Sequence, residues 1–486
     1  MTAGLFFPLD TWYIIVLLKL KKGDRMAGIF KQIDMTEGPV GSQIISFTIP
    51  MLLGNIAQQL YNTADSVIVG RFIGDNALAA VGSAGPIMNI FFVLIIGISV
   101  GAGIMVSQHF GARDREGLSW SVGGCITLVI IASLFLMIVM PLVSLPLLRL
   151  LNTPESIIGW CNSYLRIIFY GVLGNALYNI LSGVLRGLGD STSALYYLLA
   201  ATFTNIVLDY VFVGIVGMGV PGAALATIMA QGFSALLCLR KLSQMSHLFD
   251  LKLSYMRLNK QYMTRLIRLG LPSGITQAIF AMSSILVQSL SNTFGEQFIA
   301  ANVIVMRIDG FVMMPVFSFG NTMTTFAGQN VGAGNYSRVY EGARKGTLIS
   351  LGVSSVMLAA ILLFGRTIMG IFTTTESLIT LSANIMRLLA LGYLAMSVTQ
   401  CLSGTMRGSG NTVAPMWISI ITTVFIRVPL AYAISFATRT PALPHGTFWC
   451  IHSSMLASWL TGALITTLLY KTGKWKKGTV LEDVHA

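Results

Sequence analysis

Charge is scarce in this chain. Of its 486 residues only 10% are charged, whereas 54% are hydrophobic. Soluble globular domains carry about 25% charged residues, so the composition excludes an ordinary soluble protein. Long apolar runs recur from one end to the other, and they exceed the ~20 residues that a membrane-spanning helix needs. Because lipid offers no partner to free backbone groups, and barrel strands alternate over about 10 residues, these runs predict membrane-spanning helices.

Cysteine and catalytic motifs are also sparse. The five cysteines lie in or beside apolar runs without CxxC or metal-ligand spacing, so we interpret them as small core residues. The patterns GxxxxGK[ST], HExxH and GxSxG are absent, which argues against an ATP-driven pump, a zinc protease and a serine hydrolase. We therefore expect neither an enzyme nor a resident cofactor.

The apolar runs predict an all-α polytopic membrane protein with twelve spans. The expected ranges are 42–70, 77–106, 117–141, 157–185, 192–215, 221–240, 263–292, 298–327, 338–364, 376–405, 412–436 and 447–470. Most Lys and Arg residues fall on one side, in loops near Arg113, Arg186, Arg338 and Arg407 and in the long central loop. By the positive-inside rule this side and both termini are cytoplasmic. The net charge of +13 is then explained by topology, and we expect a monomer in the plasma membrane without a nucleic-acid partner.

The sequence contains an internal duplication. LSGVLRGLGDS (181–191) matches LSGTMRGSGNT (402–412), and three further pairs share this offset of 221 residues. Near the start of each half the offset is 222, which pairs Pro50 with Pro272. Each half holds six spans, an even number, so the repeats are parallel and predict two lobes around a cleft, as alternating access requires. The paired prolines indicate mobile or cavity-lining helices, or simply tolerated kinks.

The duplication divides the chain into two lobes with flanking segments. The apolar stretch near the N-terminus is too short and too interrupted for a span and lacks the features of a signal peptide. The predicted divisions are a cytoplasmic extension 1–41, an N-lobe 42–240, a linker 241–262, a C-lobe 263–470 and a basic tail 471–486.

Acids inside spans are costly and are therefore candidates for function. Asp65 and Asp209 each lie five residues before the outer end of an outward-running span, and Thr227 lies six residues into inward-running span six. At 1.5 Å per residue all three reach about the same depth. Asn205 shares a helix face with Asp209. Such an oxygen-rich group suits Na+ or a shared proton; isolated buried acids with backbone partners are the alternative.

The second half does not keep this group of residues. At the 221-residue offset, Asn205 maps to Ile426 and Asp209 to Leu430. Its own acid, Asp309, lies eleven residues into span eight, near mid-membrane. There it would hold a cationic substrate in a low dielectric, or form an ion pair with an arginine from another helix.

Polar side chains in several spans predict a substrate cleft between the lobes. They would line the cleft or form ordinary hydrogen bonds between helices. The predicted set is Gln58, Tyr61, Asn62, Asn179, Gln277, Gln288, Asp309 and Gln400. The GISVG segment (97–101) and the Gly pairs in the RG-containing repeats predict close helix packing.

The order of these segments resembles the MATE (multidrug and toxic compound extrusion) family over about residues 35–470. The resemblance rests on Asp65 in span one, the PxxxxN/Q helix start, QxxGA after span two, R-G-x-G-[DN] after span four, and the segment NIVLDYVFVGIVGMGVPGAALAT (205–227). It implies a twelve-helix antiporter that exports cationic or amphipathic drugs in exchange for Na+ or H+.

The resemblance also implies which residues bind the coupling cation. The site would lie in the N-lobe and consist of Asp65, Asn205, Asp209, Thr227 and the carbonyl of Ala223. One branch of the family carries further acids in spans seven and ten. Here those places correspond to Phe280 and Met396, so we do not expect a C-lobe site of that kind.

Two other carriers share some of these features. A major-facilitator carrier would show a Gly-xxx-Asp-Arg/Lys-type motif after span two, where this chain reads SQHFGARDREG. A lipid-precursor flippase of a related superfamily would have fourteen spans and a basic central cavity. The cavity candidates here are acidic or neutral, which favours drug efflux over a flippase.

Overall fold

The computed structural model describes residues 32–476. Most of the predicted N-terminal extension (1–31) and the end of the tail (477–486) lie outside the described residues. Over 32–476 the secondary structure is helical, apart from turns, loops and one isolated bridge between Thr440 and Leu443. The all-α prediction is confirmed.

Within the described residues, thirteen helices form the two lobes. The N-lobe contains α1 Val40–Phe72, α2 Asp75–Gly111, α3 Arg115–Leu150, α4 Glu155–Tyr170, α5 Val172–Gly187, α6 Ser191–Ile215 and α7 Val220–Ser243. The C-lobe contains α8 Lys260–Ser291, α9 Glu296–Gly332, α10 Tyr336–Gly370, α11 Glu376–Gly408, α12 Val413–Ala437 and α13 Trp449–Lys471. Short 3-10 turns lie at Leu253–Met256, Asn292–Phe294 and Lys474–Lys476.

The predicted twelve spans are present, with two corrections. Eleven helices in 32–476 are long and apolar enough to cross a membrane, and α4 with α5 forms a twelfth span bent by 53°. The bend lies at Gly171, where a Cβ atom would come within 2.5 Å of the Ile228 side chain on α7. Helix α3 continues nine residues beyond its predicted end at Pro141, because neighbouring helices in a membrane compensate for the hydrogen bond that proline loses.

Side-chain caps fix several helix starts. The side chains of Asp114, Asp190 and Asn335 each accept a hydrogen bond from the backbone N–H three residues later. Such caps satisfy N–H groups that have no partner within the helix. Helices α1 and α8 run without a break through Pro50 and Pro272, so these prolines do not interrupt the spans.

Small residues bring the two lobes into close contact. A Cβ atom on Gly97 of α2 would lie 2.8 Å from the carbonyl oxygen of Gly270 on α8, and one on Gly101 would lie 2.8 Å from the Gly270 nitrogen. Only glycine allows the two backbones to approach this closely. The predicted small-residue packing is therefore confirmed. All five cysteines are buried and free, as expected of core residues.

One end of the bundle is closed by a reciprocal pair of hydrogen bonds. We call it the basic end, because it carries Arg113, Arg186, Arg338 and Arg407.

At this end Gln108 Nε2 donates to the carbonyl of Gly408 at 2.8 Å, and Gln329 Nε2 donates to the carbonyl of Gly187 at 2.9 Å. Both glutamines and both glycines are repeat equivalents, 221 residues apart. These four residues form what we call the latch: each lobe contributes one donor and one acceptor.

Residues 32–37, which we call the strap, cross the latch and contact both lobes. On the N-lobe side, Ile33 N donates to Gly189 O at 3.0 Å, and Arg113 Nη2 donates to Asp34 Oδ2 at 2.6 Å. On the C-lobe side, Met35 N donates to Gln329 Oε1 at 2.9 Å. The strap thus adds a connection that breaks the two-fold symmetry of the latch.

Hydrogen bonds between the lobes extend only part of the way from the basic end. The hydroxyls of Thr48 and Thr322 are 2.9 Å apart, and Asn55 Nδ2 donates to Ser318 Oγ at 2.9 Å. Farther along α1, the described part of the chain contains no other hydrogen bond between the lobes. The lobes are therefore joined at the basic end, and their opposite ends are not tied in this way.

Candidate functional site

Helices α1 and α6 bring two carboxylates together inside the N-lobe. Asp65 on α1 faces Asp209 on α6, and Asn205 lies one turn before Asp209 on the same face of that helix. Asp65 is 8% exposed, while Asn205 and Asp209 are fully buried. From the sequence we expected Asp65 and Asp209 at one depth and Asn205 on the same helix face as Asp209, and the structure brings all three side chains into one cluster.

Several polar atoms of this acidic cluster are buried without a hydrogen-bond partner. They are Asp65 Oδ1, both carboxylate oxygens of Asp209, and both amide atoms of Asn205. An unsatisfied buried polar group costs about 1–3 kcal/mol, and more when it is charged. A bound cation or a shared proton would satisfy these oxygens, so the cluster fits the coupling-ion chemistry expected from the sequence.

Residues of α4 and α7 complete the acidic cluster. Tyr61, which we predicted to line the cleft, instead is buried, with its hydroxyl near Thr227 and Gln231 and close to both acids. Gln231 and Tyr164 were not predicted. Gln231 follows Thr227 by four residues on one face of α7, and this spacing was the available signal.

Ala223 is fully buried one turn before Thr227 on α7. Its carbonyl as a cation ligand stays a prediction.

Helix α6 changes from an α-helix to a π-helix directly after Asp209, over Tyr210–Ile215. A π-helix bonds residue i to i+5 and so holds one extra residue, and such segments often occur at functional sites. The transition therefore changes the direction of the side chains in the last residues of α6, directly after Asp209 of the acidic cluster.

Helix α12, the repeat equivalent of α6, carries its π-helix earlier, over Ile420–Arg427. Buried Ser191 corresponds to buried Thr412 at an offset of 221, whereas buried Asp209 corresponds to buried Ala431 at an offset of 222. The extra residue of the π-helix explains this shift.

The shift corrects the sequence-based mapping by one residue. The counterpart of Asn205 is Arg427 and not Ile426, and that of Asp209 is Ala431 and not Leu430.

The acid of the C-lobe has a defined partner. Tyr393 Oη on α11 donates to Asp309 Oδ1 at 2.9 Å. Arg427 on α12 lies close enough to interact electrostatically with Asp309, whereas Arg307 is exposed. The expectation that an arginine of another helix approaches Asp309 agrees with this geometry, but the direct hydrogen bond comes from Tyr393.

A cavity of about 400 Å³ lies between the lobes. Of the predicted cleft residues, Asn179, Gln277 and Gln400 line it.

The other predicted cleft residues lie elsewhere. Asn62 and Gln288 are exposed on the halves of α1 and α8 away from the basic end. Gln58 Nε2 donates to Asn62 Oδ1 within α1, and Gln288 Nε2 donates to Oδ1 of Asn292, the first residue after α8. Tyr61 belongs to the acidic cluster and Asp309 to the C-lobe pair with Tyr393. The sequence pattern identified polar positions correctly but could not tell which helix face each occupies.

The polarity of the cavity differs from the expectation. Arg186, Arg407 and Arg427 line it, and among its described lining residues there is no Asp or Glu. The expectation of an acidic or neutral cavity is therefore wrong. Phe280 and Met396 contribute apolar surface to the same wall.

Comparison with known proteins identifies the family. The sequence model of the MatE family matches residues 50–211 and again 272–433, one match in each lobe. The chain belongs to the MatE family. The MATE family is a family of transporters, and this chain is accordingly a multi-pass membrane protein with two repeats.

Several known proteins resemble this MatE chain over nearly its full length. The probable multidrug resistance protein YoeA of Bacillus subtilis (strain 168) is 31% identical over 82% of this chain and 87% of its own length. The probable multidrug resistance protein YpnP of the same strain is 28% identical over 92% of this chain and 98% of its own. A crystal structure of a MATE protein in the bent conformation superimposes with a TM-score of 0.85 at 24% identity, covering 92% of this chain and 98% of that one.

Proposed function

We propose that this MatE chain is a cation-coupled multidrug efflux antiporter of the plasma membrane. It would export cationic or amphipathic organic compounds by alternating access, in exchange for H+ or Na+. The relatives named above as probable multidrug resistance proteins support the efflux part of the proposal. The uneven distribution of Lys and Arg supports an orientation with the basic end and both termini in the cytoplasm.

The observation that carries the coupling proposal is the acidic cluster. Asp65 and Asp209 place two carboxylates in a buried site where Oδ1 of Asp65 and both oxygens of Asp209 lack partners. Two carboxylates at close range in a low dielectric do not both stay ionised without a cation. Binding of H+ or Na+ would therefore remove one of the two negative charges of the acidic cluster. Its release would restore that charge, which rearrangement of α1 and α6 would have to compensate.

The latch and the strap supply the elements that would move. Alternating access requires the basic end to open, which breaks the reciprocal bonds of Gln108 and Gln329 and the contacts of Met35 with the C-lobe. Each such hydrogen bond contributes about 0.5–1.5 kcal/mol net. Ion or substrate binding can supply a differential affinity of this size, so the closed and open states would lie within reach of each other.

The test is transport by purified protein in proteoliposomes. A fluorescent amphipathic cation is loaded, and a Na+ gradient or a proton gradient is imposed separately. We expect one gradient, or each, to accelerate efflux, and Asp65→Asn to abolish the acceleration. Asp75→Asn serves as the matched control, because Asp75 is exposed at the start of α2 away from the basic end. Unchanged coupling in Asp65→Asn would disprove the N-lobe site.

A further inference from the structure

The cavity between the lobes holds three arginines and no facing acid. Arg186 and Arg407 are repeat equivalents in the last turns of α5 and α11 at the basic end. Arg427 lies on α12, fourteen residues from its start, which is ~20 Å deeper at 1.5 Å per residue. All three side chains are half-buried and line the cavity. Positive charge is therefore present at the base of the cavity and again near mid-membrane.

A structural explanation exists for Arg186 and Arg407, because cations stabilise the C-terminal ends of helices. That role usually brings the side chain to the last carbonyl groups. Here neither guanidinium donates to a carbonyl within hydrogen-bond distance, and neither has a carboxylate oxygen within 4.0 Å in residues 32–476. The carbonyl groups of Gly187 and Gly408 are instead occupied by the latch glutamines. Each arginine is thus left with donors that point to the cavity.

Arg427 is incompletely paired in the same way. Its Nε is buried without a partner, and Nη2 lies 3.8 Å from Met455 Sδ. The neighbouring Asp309 accepts its hydrogen bond from Tyr393 and does not line the cavity. Asp309 compensates the charge of Arg427 in part, but burial of a guanidinium whose donors lack hydrogen-bond partners stays costly unless an acceptor arrives.

The remaining lining fits an amphipathic molecule. Hydroxyl and amide groups such as Thr423, Gln277 and Gln400 surround the arginines, while Phe280 and Trp459 add aromatic surface. A volume of about 400 Å³ lies within the ~300–1,000 Å³ of typical small-molecule sites. A guanidinium recognises carboxylate and phosphate groups through paired hydrogen bonds.

We infer that this cavity binds an amphipathic substrate that carries an anionic group, a carboxylate or phosphate, and that the combined positive charge of Arg186, Arg407 and Arg427 selects it. The inference rests on the proposed efflux function and narrows its substrate class. Simple cations would be bound less well than zwitterions or anions of the same size. The acidic cluster of Asp65 and Asp209 would then serve the coupling ion, and the substrate would occupy a separate site.

The experiment measures binding of a rhodamine dye with a free carboxylate and of its methyl ester, which differ in one negative charge. Fluorescence anisotropy with purified protein in phosphatidylcholine nanodiscs gives Kd for each. We expect the free acid to bind at least about tenfold more tightly than the ester, as the loss of a charge-assisted hydrogen bond predicts. Arg186→Gln, Arg407→Gln and Arg427→Gln should each reduce this preference, and Arg186→Lys should retain part of it.

Arg166→Gln and Arg387→Gln are the matched controls. These residues are repeat equivalents on α4 and α11, as the cavity pair is, but they are exposed and do not line the cavity. Both controls should keep the preference for the free acid. A preference for the ester, or equal loss of both dyes in the cavity variants with an unchanged melting temperature, would overturn the inference.

Two further arms identify the source of the anion and separate this inference from the efflux proposal. Replacing phosphatidylcholine by phosphatidylglycerol should weaken free-acid binding if a lipid headgroup is the natural anion, and leave it unchanged if a soluble amphipath is. Dye binding needs no ion gradient. Intact binding preference without gradient-driven efflux would therefore reject the antiporter proposal alone, whereas coupled efflux without the preference would reject the anionic site alone.

Discussion

Helices α6 and α12 occupy equivalent places in the two lobes but carry opposite chemistry. In α6, Asn205 and Asp209 meet Asp65 of α1 and form a buried acidic cluster. In α12, the equivalent positions are Arg427 and Ala431, and the position equivalent to Asp65 on α8 is the buried Val287 at an offset of 222. The same backbone frame therefore carries a buried acidic cluster in one lobe and an arginine of the cavity wall in the other.

At the basic end, in contrast, the two halves carry the same residues in the same roles. There Gln108 and Gln329 make the same bond in opposite directions, to Gly408 and Gly187. The two halves carry identical residues at the latch and different residues at the acidic cluster and its C-lobe counterpart. Both lobes contribute equally to the latch, whereas the acidic cluster belongs to one of them.

The largest expected effect tests whether ion coupling is confined to the N-lobe. Asp209→Asn, like Asp65→Asn, removes a carboxylate from the acidic cluster and should reduce gradient-driven efflux at least about 100-fold, the scale of ~2.7 kcal/mol. Asp309→Asn should retain most of it, because Asp309 lies in the other lobe and is already held by Tyr393. Vesicle efflux under an imposed gradient measures both. If Asp309→Asn lost as much gradient-driven efflux as Asp209→Asn, both lobes would take part in coupling.

The latch gives the next test, because its two halves should not be equivalent once the strap is included. Gln108→Ala removes one bond between the lobes and leaves the Gly408 carbonyl unpaired, at about 1–3 kcal/mol. Gln329→Ala removes its counterpart and also the bond from Met35 N. We expect Gln329→Ala to lower the melting temperature more. Identical shifts would show that the strap adds nothing to closure.

The stability of two Tyr→Phe variants, one in each lobe, compares the Asp309 pair with the acidic cluster. Tyr393→Phe removes the donor to Asp309 and should destabilise the protein by about 1–3 kcal/mol, because a buried carboxylate loses its partner. The Tyr61 hydroxyl lies beside Thr227 and Gln231 but forms no hydrogen bond of good geometry, so Tyr61→Phe should lower the melting temperature much less than Tyr393→Phe. Thermal unfolding of both variants in detergent gives the comparison. A Tyr61→Phe protein destabilised as much as Tyr393→Phe would indicate that the Tyr61 hydroxyl is bonded in the folded state.

The smallest expected effect concerns Asp34 in the strap. Burial alone would raise its pKa, but the hydrogen bonds from Thr36 and the attraction of Arg113 outweigh burial and lower the pKa below its ordinary value of 3.8. The contact therefore stabilises the strap at all pH values above about 4 and is lost as the pH falls below the lowered pKa. Asp34→Asn should cost less than about 1 kcal/mol, because Arg113 is largely exposed. Thermal unfolding of Asp34→Asn at neutral pH measures this loss of stability. A loss clearly above about 1 kcal/mol would mean that the strap contributes much of the protein's stability.

Much of the fold follows from the sequence because membrane spans leave a strong signal. Runs of apolar residues located most of the spans to within a few residues, and the distribution of Lys and Arg supported their number. The break at Gly171 was not predicted, since it depends on the approach of Ile228 from another helix. The end of α3 was missed because proline breaks helices in water more readily than in a membrane.

The candidate site was partly predictable for a similar reason. Depth along a helix can be counted from the sequence, so Asp65, Asn205 and Asp209 could be placed together. The extra residue of a π-helix cannot be seen in the sequence, which is why Ile426 was predicted as the counterpart of Asn205 where the structure has Arg427. The three arginines of the cavity come from α5, α11 and α12, and only tertiary packing brings them to one space.

The latch has a consequence for the origin of the chain. An interface in which each half offers the same donor and the same acceptor is isologous, the type that joins two identical subunits around a two-fold axis. A protein half as long would carry a glutamine equivalent to Gln108 and a glycine equivalent to Gly187, and two parallel copies would close with the same pair of bonds. In one fused chain the two halves can differ in sequence while the paired bonds stay, as Asp209 of α6 and its counterpart Ala431 of α12 illustrate.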